Sequence, residues 1–253
     1  MEKSEFINSV ILGSLLGDGH IESNGNKDNP SRCIMFTQNS LNETGYIESK
    51  FNLVNHLYKC NPIREGHNNT LRFSITAREK ELTESMTKLT RYDNYKRKLP
   101  PIENINPVVL LYWYLDDGSL TIGKQKRPNG KYTVYRKLRI ALQSYNDNDI
   151  EDFLLSFNDK FNLNFKPSRE TIKGQKKIVS IGTSNNIGEI TKFLDIINPY
   201  KDIIPKEMHY KFCLCYHETK NLKNHRLIEY NGCEFHNNGI CSCRNKDYSD
   251  IYQ

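Results

Sequence analysis

Two apolar segments that each end in Asp-Gly dominate the pattern of hydrophobic and polar positions. Residues 5–19 read EFINSVILGSLLGDG, and residues 104–118 read NINPVVLLYWYLDDG. Both are apolar runs with helical potential, and Asp-Gly is a common turn signal at the end of such a run. The pattern therefore predicts two apolar helices, 99 positions apart, that end near Asp18 and Asp117.

The segments that follow the two helices also match, which indicates an internal repeat. Stretches of alternating polarity, typical of strands, occur at 32–38, 71–76, 132–143 and 177–183. Helix-like segments occur at 43–58, 76–89, 147–161 and 183–194. The order helix, strands, helix, strands, helix is therefore present twice. We place the first repeat at residues 1–102, the second at 103–217, and a polar tail at 218–253.

The alternating stretches place polar and cationic side chains on one face of each predicted strand. Leu138 and Ile140 alternate with Lys137 and Arg139, although Arg136 interrupts the apolar face. Such a face suits a sheet in a DNA groove, because cationic groups hold phosphates and Arg contacts base edges. For any single strand, a solvated sheet face is the alternative. The candidate DNA contacts are Arg32, Arg72, Ser74, Thr76, Tyr135, Lys137 and Arg139.

Composition narrows the class of protein. The 253 residues include 36 Lys and Arg against 30 Asp and Glu, a net charge of +6 that favours an anionic partner such as nucleic acid. No run approaches the roughly 20 apolar residues that cross a bilayer, so we expect no membrane partner. The acidic start of the chain does not fit a secretion signal, and the seven cysteines are irregularly spaced. We expect an intracellular protein, with its compartment left open between an organelle and a bacterial or phage-infected cytoplasm.

The two Asp-Gly ends carry the candidate chemistry. A carboxylate at a helix C-terminus faces the negative end of the macrodipole, and two such carboxylates close together repel each other. Divalent cations between them resolve both problems, and Mg²⁺ suits a site made of carboxylates, water and substrate phosphate. For a lone Asp-Gly, a simple helix stop is the better interpretation. The pair that ends two matching helices favours the metal site.

At these residues a resemblance is clear. ILGSLLGDG at 11–19 and LLYWYLDDG at 110–118 resemble the two signature helices of single-chain LAGLIDADG homing endonucleases. The resemblance implies an α+β fold of two pseudo-twofold-related αββαββα repeats. The signature helices would meet at the interface, and the strands would form a β-sheet saddle for DNA. It also implies two or three divalent ions, Mg²⁺ by preference, held by Asp18 and Asp117.

The same resemblance implies supporting residues and exposes departures. Gln38 and Gln143 resemble polar residues that position water and metal. Lys98, or its neighbour Arg97, and Lys211 resemble the basic residues of the catalytic pocket. Gly13 and Gly17 fit the small third and seventh positions of the first helix. The second helix has Tyr112 and Asp116 there. We prefer Asp117 over Asp116 as the metal ligand because Gly118 follows Asp117 as Gly19 follows Asp18, and we place Gly17 and Asp116 behind the ligands.

The implied function is a monomeric, Mg²⁺-dependent endonuclease that cuts both strands of a double-stranded DNA target and is encoded in an intron or another mobile element. An intron RNA maturase on the same fold is the first alternative. A non-catalytic DNA-binding regulator is the second, although both motif carboxylates are present. The endonuclease's choice of target sequence depends on the geometry of the strands that contact the bases and on the deformability of the DNA.

The tail contains a separate group of metal-binding residue types. Cys233, His236, Cys241 and Cys243 lie within eleven positions, with Cys213, Cys215 and His217 upstream. Four such ligands can form a tetrahedral Zn²⁺ site, but the spacing matches no common zinc-finger pattern. Reduced thiols in a polar tail are the favoured interpretation, with zinc as the alternative.

Overall fold

The computed structural model describes residues 1–23, 32–39, 44–92, 97–128, 130–203, 205, 208, 211–212 and 214. In these residues the helices are α1 (Lys3–Leu16), α2 (Thr44–Asn55), α3 (Lys80–Thr90), α4 (Pro107–Asp117), α5 (Asp147–Phe161) and α6 (Ile187–Ile197). The strands are β1 (His20–Ser23), β2 (Arg32–Asn39), β3 (Cys60–Glu65), β4 (Thr70–Ile75), β5 (Gly118–Lys126), β6 (Tyr132–Ala141), β7 (Lys166–Ile172) and β8 (Gln175–Ser184). Short 3₁₀ helices in the described residues include Ile102–Asn104 and Asn198–Ile203.

The strands form two four-stranded antiparallel sheets with equivalent order. The first sheet runs β1-β2-β4-β3 and the second runs β5-β6-β8-β7. Each apolar helix, α1 or α4, is followed by two strands, a helix, two strands and a helix. The predicted repeat of elements is therefore confirmed, as is the α+β class with antiparallel sheets.

The chain divides into two compact units. The first comprises Met1–Asp117 and Ser144–Phe153, and so contains both apolar helices and the first sheet. The second comprises Gly118–Gln143 and the described residues from Leu154 onward, including the second sheet and α6. In the second unit, the ring of Phe165 contacts the rings of Phe157 and Phe193. Phe165 directly precedes β7, so these contacts pack the start of that strand against α5 and α6.

Helices α1 and α4 pack directly against each other within the first unit. Residues Val108 to Leu115 are all buried, and the buried residues of α1 include Ile7 and Val10 to Leu16. A helix that is apolar on all sides belongs in a core. At the crossing, a Cβ on Gly13 would come within 2.5 Å of the Val109 carbonyl oxygen, so the backbones meet where a side chain would not fit.

The start of α4 is capped by a residue that also contacts α1. The Asn106 side-chain oxygen accepts hydrogen bonds from the backbone N–H groups of Val108 and Val109, each at 3.0 Å. This arrangement satisfies two of the donors that a helix N-terminus leaves unpaired. The Asn106 amide nitrogen in turn donates to Ser9 Oγ at 2.7 Å. The cap therefore fixes α4 along α1 as well as starting the helix.

Sequence periodicity located the inner strands and not the outer ones. The alternating stretches correspond to β2, β4, β6 and β8, which lie at the centre of the two sheets. The edge strands β1, β3, β5 and β7 were not resolved by the pattern. Strands β3 and β7 contain no buried residue, so they carry no apolar alternation that could reveal them. In the described part of the chain, no helix is long and apolar enough to cross a membrane.

Candidate active site

The C-terminal ends of α1 and α4 meet at the site predicted from the two Asp-Gly pairs. A Cβ on Gly17 would lie 2.4 Å from the Cβ of Asp116 and 3.2 Å from its carboxyl carbon. The glycine is therefore needed for this close approach. Asp18 and Asp117 each follow the contacting residue by one position, so each predicted metal ligand lies one residue beyond the contact between the helix ends.

Two buried tyrosines lie against these helix ends. The Tyr145 hydroxyl donates to the Leu16 carbonyl oxygen at 3.0 Å, which satisfies a carbonyl in the last turn of α1. Burial raises the pKa of Tyr145 to about 12; nearby Arg97 opposes the shift and nearby Asp117 adds to it. Burial also raises the pKa of Tyr46 well above its ordinary value, with further contributions from Asp116 and Asp18.

Asp18 and Asp117 differ in exposure and in their neighbours. Asp18 is exposed and Asp117 is half-buried. The side-chain nitrogen of Gln38 lies 3.5 Å from Asp18 Oδ2, which is a long hydrogen bond. Gln38 itself is buried in β2 and approaches Asp18 from the first sheet. Gln38, predicted to position water and metal, therefore lies beside the first motif carboxylate.

Asp116 has a different environment from its neighbour Asp117. Its side chain is fully buried and forms an ion pair of 2.6 Å with Lys50 Nζ. The Tyr46 hydroxyl donates to the same carboxylate oxygen at 2.8 Å. Lys50 is also buried, with its ammonium group 4.2 Å from the centroid of the Tyr46 ring. The Asp116 carboxylate is therefore already paired with Lys50 and Tyr46, whereas the neighbouring Asp117 is half-buried.

Arg97, rather than Lys98, contacts the first Asp-Gly turn. Its guanidinium donates to the carbonyl oxygens of Gly17 at 3.1 Å and Gly19 at 2.9 Å, on both sides of Asp18. Lys98 Nζ instead lies 5.9 Å from the centroid of the Tyr92 ring. The sequence left these two residues as alternatives, and the geometry favours Arg97. A basic side chain at this position also complements the negative end of the α1 dipole.

In the second unit, Lys211 contacts the backbone of the second Asp-Gly pair. Its Nζ donates to the Gly118 carbonyl oxygen at 3.0 Å, and the residue is buried. Gly118 is the counterpart of Gly19, so Lys211 and Arg97 make equivalent contacts in the two repeats. Gln143 follows the end of β6 and is exposed. Its environment therefore differs from that of the buried Gln38.

The donor set at the helix ends suits a divalent cation. Two carboxylates, Asp18 and Asp117, lie where two helix dipoles direct their negative ends, and hard oxygen donors are what Mg²⁺ prefers. Within the described residues no three His, Cys, Asp or Glu side chains converge into a complete metal cage. Mg²⁺ commonly takes one or two carboxylates and completes its coordination shell with water and substrate phosphate.

The second sheet presents the predicted polar face. Along β6, half-buried Tyr135, Lys137 and Arg139 alternate with buried Arg136, Leu138 and Ile140. Cross-strand partners share a face, so the register adds further polar residues to it. Arg139 pairs with Ser119 and Gly182, Gly182 pairs with Lys166, and Lys137 pairs with Thr121 and Ser184. Sequence periodicity missed Lys166 because β7 has no apolar alternation.

The first sheet follows the prediction less closely. Arg72 is exposed and lies between Thr37 of β2 and Arg64 of β3, so two arginines are neighbours across the sheet. Arg64 was not predicted. Ser74, expected on the exposed face, is 7% exposed and accepts a hydrogen bond from Asn61 Nδ2 at 2.9 Å. That expectation of exposure is wrong, because the neighbouring edge strand covers the hydroxyl.

Two further candidates lie at strand ends. Arg32 begins β2 and lies on the same face of the strand as Ile34 and Phe36, which are buried. It is therefore not on the face that carries Arg72. Thr76 is half-buried directly after β4. Residues 218–253 lie outside the described residues, and with them Cys233, His236, Cys241 and Cys243 of the candidate zinc site.

Comparison with known proteins gives three findings. The sequence model of the LAGLIDADG DNA endonuclease family matches residues 8–186, which include both apolar helices. No curated protein matches the sequence significantly. Among solved structures, the homing endonuclease I-WcaI bound to its DNA recognition sequence is similar, with a TM-score of 0.62 and 23% identity over 85% of this chain and 89% of that one.

Two meganuclease structures share the fold at lower identity. I-SmaMI bound to uncleaveable DNA has a TM-score of 0.54 and 13% identity, over 81% of this chain and 87% of that one. The LAGLIDADG meganuclease I-AabMI bound to uncleaved DNA has a TM-score of 0.53 and 13% identity, over 76% and 83%. The matched family model covers most of the chain and both Asp-Gly helices, and the chain therefore belongs to the LAGLIDADG DNA endonuclease family.

Proposed function

We propose that this protein is a site-specific endonuclease that uses divalent metal ions to cut both strands of a double-stranded DNA target. The contact between Gly17 and Asp116 carries the proposal, because it brings the two Asp-Gly ends together. Two carboxylates at adjacent helix ends provide one acidic group for each strand of a duplex. The structural relatives with bound DNA support the choice of DNA as substrate.

The roles of the acidic and polar residues follow from their positions. Asp18 and Asp117 would hold divalent ions, Mg²⁺ by preference, which would supply charge neutralisation at the attacking and leaving oxygens of the phosphodiester. Gln38, buried beside Asp18, would help to orient that carboxylate through its amide nitrogen. Asp116 contributes no ligand, because Lys50 and Tyr46 already neutralise it.

The basic residues have two roles. Arg97 and Lys211 place positive charge beside the two turns, where negative charge develops during phosphodiester hydrolysis. Both also hold backbone carbonyls of the turns, so each keeps its aspartate in place. This arrangement separates them from Lys98, which contacts Tyr92 and not the turn.

Each sheet carries residues that would bind DNA. The polar residues of β6 together with Lys166, Thr121 and Ser119 form a continuous polar face, and Arg72 with Arg64 forms a cationic pair on the first sheet. Cationic groups here would bind backbone phosphates, while Arg and Tyr side chains reach base edges. We infer that affinity falls steeply with salt, as neutralised phosphates release their counterions.

The proposal also includes the genetic context that family resemblance implies, an intron or another mobile element whose empty insertion site is the target. The test substrate is the host gene without the inserted element, so that the sequences on either side of the insertion site are joined. This DNA is cloned in a supercoiled plasmid. We expect linear product with Mg²⁺ and none with a chelator. Plasmid without the joined sequence is the control.

Other outcomes would identify other functions. Metal-independent binding of the DNA target, with no cutting under any divalent cation, would favour the DNA-binding regulator. Tight binding of the intron transcript together with no DNA cleavage would favour the maturase. Either result would overturn the proposed nuclease activity.

A further inference from the structure

Arg136 is a charged residue on the apolar face of the central strand β6. It is 8% exposed, and its neighbours on the same face of the strand, Leu138 and Ile140, are fully buried. A guanidinium among apolar side chains is costly unless its donors are satisfied. The burial of the Arg136 charge therefore needs an explanation. The polar residues on the opposite face of β6 need none, because they are only half-buried.

The Arg136 side chain reaches the last described part of the chain. Its Nε donates to the carbonyl oxygen of Leu214 at 2.9 Å. Its backbone is held as well: the carbonyl accepts from Asn185 N–H at 2.7 Å, and the Arg136 N–H donates to Asn185 Oδ1 at 3.3 Å. The backbone of Arg136 is thus held in place, and its guanidinium group donates to a backbone acceptor.

The residues around Leu214 include the second basic residue of the site. Met208, Lys211, Phe212 and Leu214 are all buried, with exposures of 0%, 6%, 0% and 1%. Lys211 Nζ donates to the Gly118 carbonyl oxygen, directly after Asp117 in the chain. Arg136 therefore holds a backbone carbonyl group three residues beyond the lysine, and both Lys211 and Leu214 are buried.

We propose that Arg136 is a positioning residue for Lys211. It fixes the Leu214 carbonyl group against β6, so that the ammonium group of Lys211, three residues earlier in the chain, stays at the second Asp-Gly pair. Arginine suits this role because its charge is permanent and its planar donors give direction, whereas lysine would supply a mobile point charge. The inference rests on the proposed nuclease function, and it predicts an effect on one half of the site.

The first arm of the test measures nicking of each DNA strand separately. Arg136→Met should slow cleavage of the same strand that Lys211→Met slows, by about 100-fold, the cost of misplacing a reacting group by about 1 Å. Nicked plasmid should accumulate, and the Kd for target DNA with Ca²⁺ should change less than twofold. Lys160→Met, on the exposed surface of α5, removes a charge without touching this segment and should cut like the wild type.

Two variants separate positioning from folding. Arg136→Lys keeps the charge but loses the directed donor, and we expect an intermediate strand-specific defect with an unchanged Tm. Because Arg136 acts through Lys211, the double variant Arg136→Met/Lys211→Met should be no slower than Lys211→Met alone. Equal slowing of both strands with a lowered Tm, or additive losses in the double variant, would overturn the proposal.

Hydrogen exchange of the amides at 211–214 tests the same contact without any DNA. Arg136→Met should exchange these amides faster than Lys160→Met does, while the amides of α6 stay unchanged. Unchanged protection at 211–214 would overturn the proposal even if cleavage is altered. Absence of cleavage by the wild-type protein would instead refute the nuclease function and leave the exchange result to decide the role of Arg136.

Discussion

The two Asp-Gly pairs differ in backbone and in neighbours. Gly17 and Asp18 form a turn after α1, whereas Asp117 ends α4 and Gly118 begins β5. The first turn is held by Arg97 through two carbonyls, on both sides of Asp18. The second is held by Lys211 through the Gly118 carbonyl. Before the aspartate, the first helix has Gly17 and the second has Asp116, which fills the space that the glycine leaves.

The difference shows how a duplicated site can keep its geometry while its side chains diverge. One small residue suffices for the two helix ends to touch, so the facing position is free to carry a larger side chain. That side chain is a carboxylate in this protein, and its burial is balanced by Lys50 and Tyr46 of α2. Two exposed or half-exposed carboxylates, rather than three, then remain at the turns.

Removal of either motif carboxylate should have the largest effect. Asp18→Asn or Asp117→Asn should abolish double-strand cleavage, because each variant removes the acidic group of one half-site. DNA affinity, measured with Ca²⁺ by a shift assay, should stay close to that of the wild type. Asp159→Asn, on the exposed surface of α5, is the control. Full Mg²⁺-dependent cutting by either motif variant would contradict the assignment.

Loss of Lys50 should destabilise the C-terminal end of α4, where it pairs with Asp116. The equivalent position at the end of α1 is Gly17, which carries no charge to be paired. Lys50→Met leaves Asp116 buried without its cation, which costs about 3–5 kcal/mol of unfolding free energy. Lys192→Met breaks the ion pair with Glu189, in which the lysine is 52% exposed, and should cost at most about 1 kcal/mol. Urea denaturation measures both.

A double variant sharpens this comparison. Lys50→Met combined with Asp116→Leu removes both charges from the buried site, and most of the lost stability should return. If Lys50→Met lost no more unfolding free energy than Lys192→Met, the buried Lys50–Asp116 pair would not stabilise the protein as expected.

A methyl group at the helix crossing should affect α1 and α4 together. In Gly13→Ala the new Cβ would lie 2.5 Å from the Val109 carbonyl oxygen and 2.9 Å from Tyr112 Cβ. Overpacking of this kind costs about 1–3 kcal/mol, seen as a lowered Tm. Ser4→Ala, an exposed position of the same helix, is the matched control. An unchanged Tm for Gly13→Ala would show that the helices do not pack this closely.

The smallest expected effect is a pH dependence at Glu189. Burial raises the pKa of this carboxyl, but hydrogen bonds from Lys192 and the Asn164 N–H, with the Lys192 charge, outweigh it and hold the pKa below its ordinary value of 4.5. A lowered folded-state pKa gives stability above pH 4.5 that is lost as pH falls further. Thermal melts of Glu189→Gln should therefore lose less stability between pH 5 and pH 3 than the wild type. Glu81→Gln, at an exposed position, should behave as the wild type does.

Much of the fold could be predicted from residue patterns. The apolar runs located α1 and α4 to within a few residues, and polarity alternation located the four central strands, because burial on one face imposes a period of two. Edge strands escaped because β3 and β7 contain no buried residue. Ser74 was misplaced for a related reason: its cover comes from Asn61 on an edge strand that no pattern revealed.

Some residues of the candidate site could likewise be predicted from the sequence, and others could not. Asp18 and Asp117 were identified by repetition of a local motif, which needs no knowledge of the fold. Lys50, Tyr46 and Tyr145 lie far along the chain from the residues they contact, and each resembles an ordinary helix or loop residue in the sequence. The choice between Lys98 and Arg97 depended on which side chain of two neighbours turns towards Gly17 and Gly19.

By itself, the sequence determined the repeat, the class of fold and the pair of motif aspartates, because hydrophobic periodicity and turn residues act over short stretches of chain. The tertiary structure decided which of two adjacent carboxylates is neutralised, which basic residue holds the first turn, and which polar residues share a sheet face. Those outcomes depend on distances between segments tens of residues apart, and such distances are set when apolar helices pack and strands take their register.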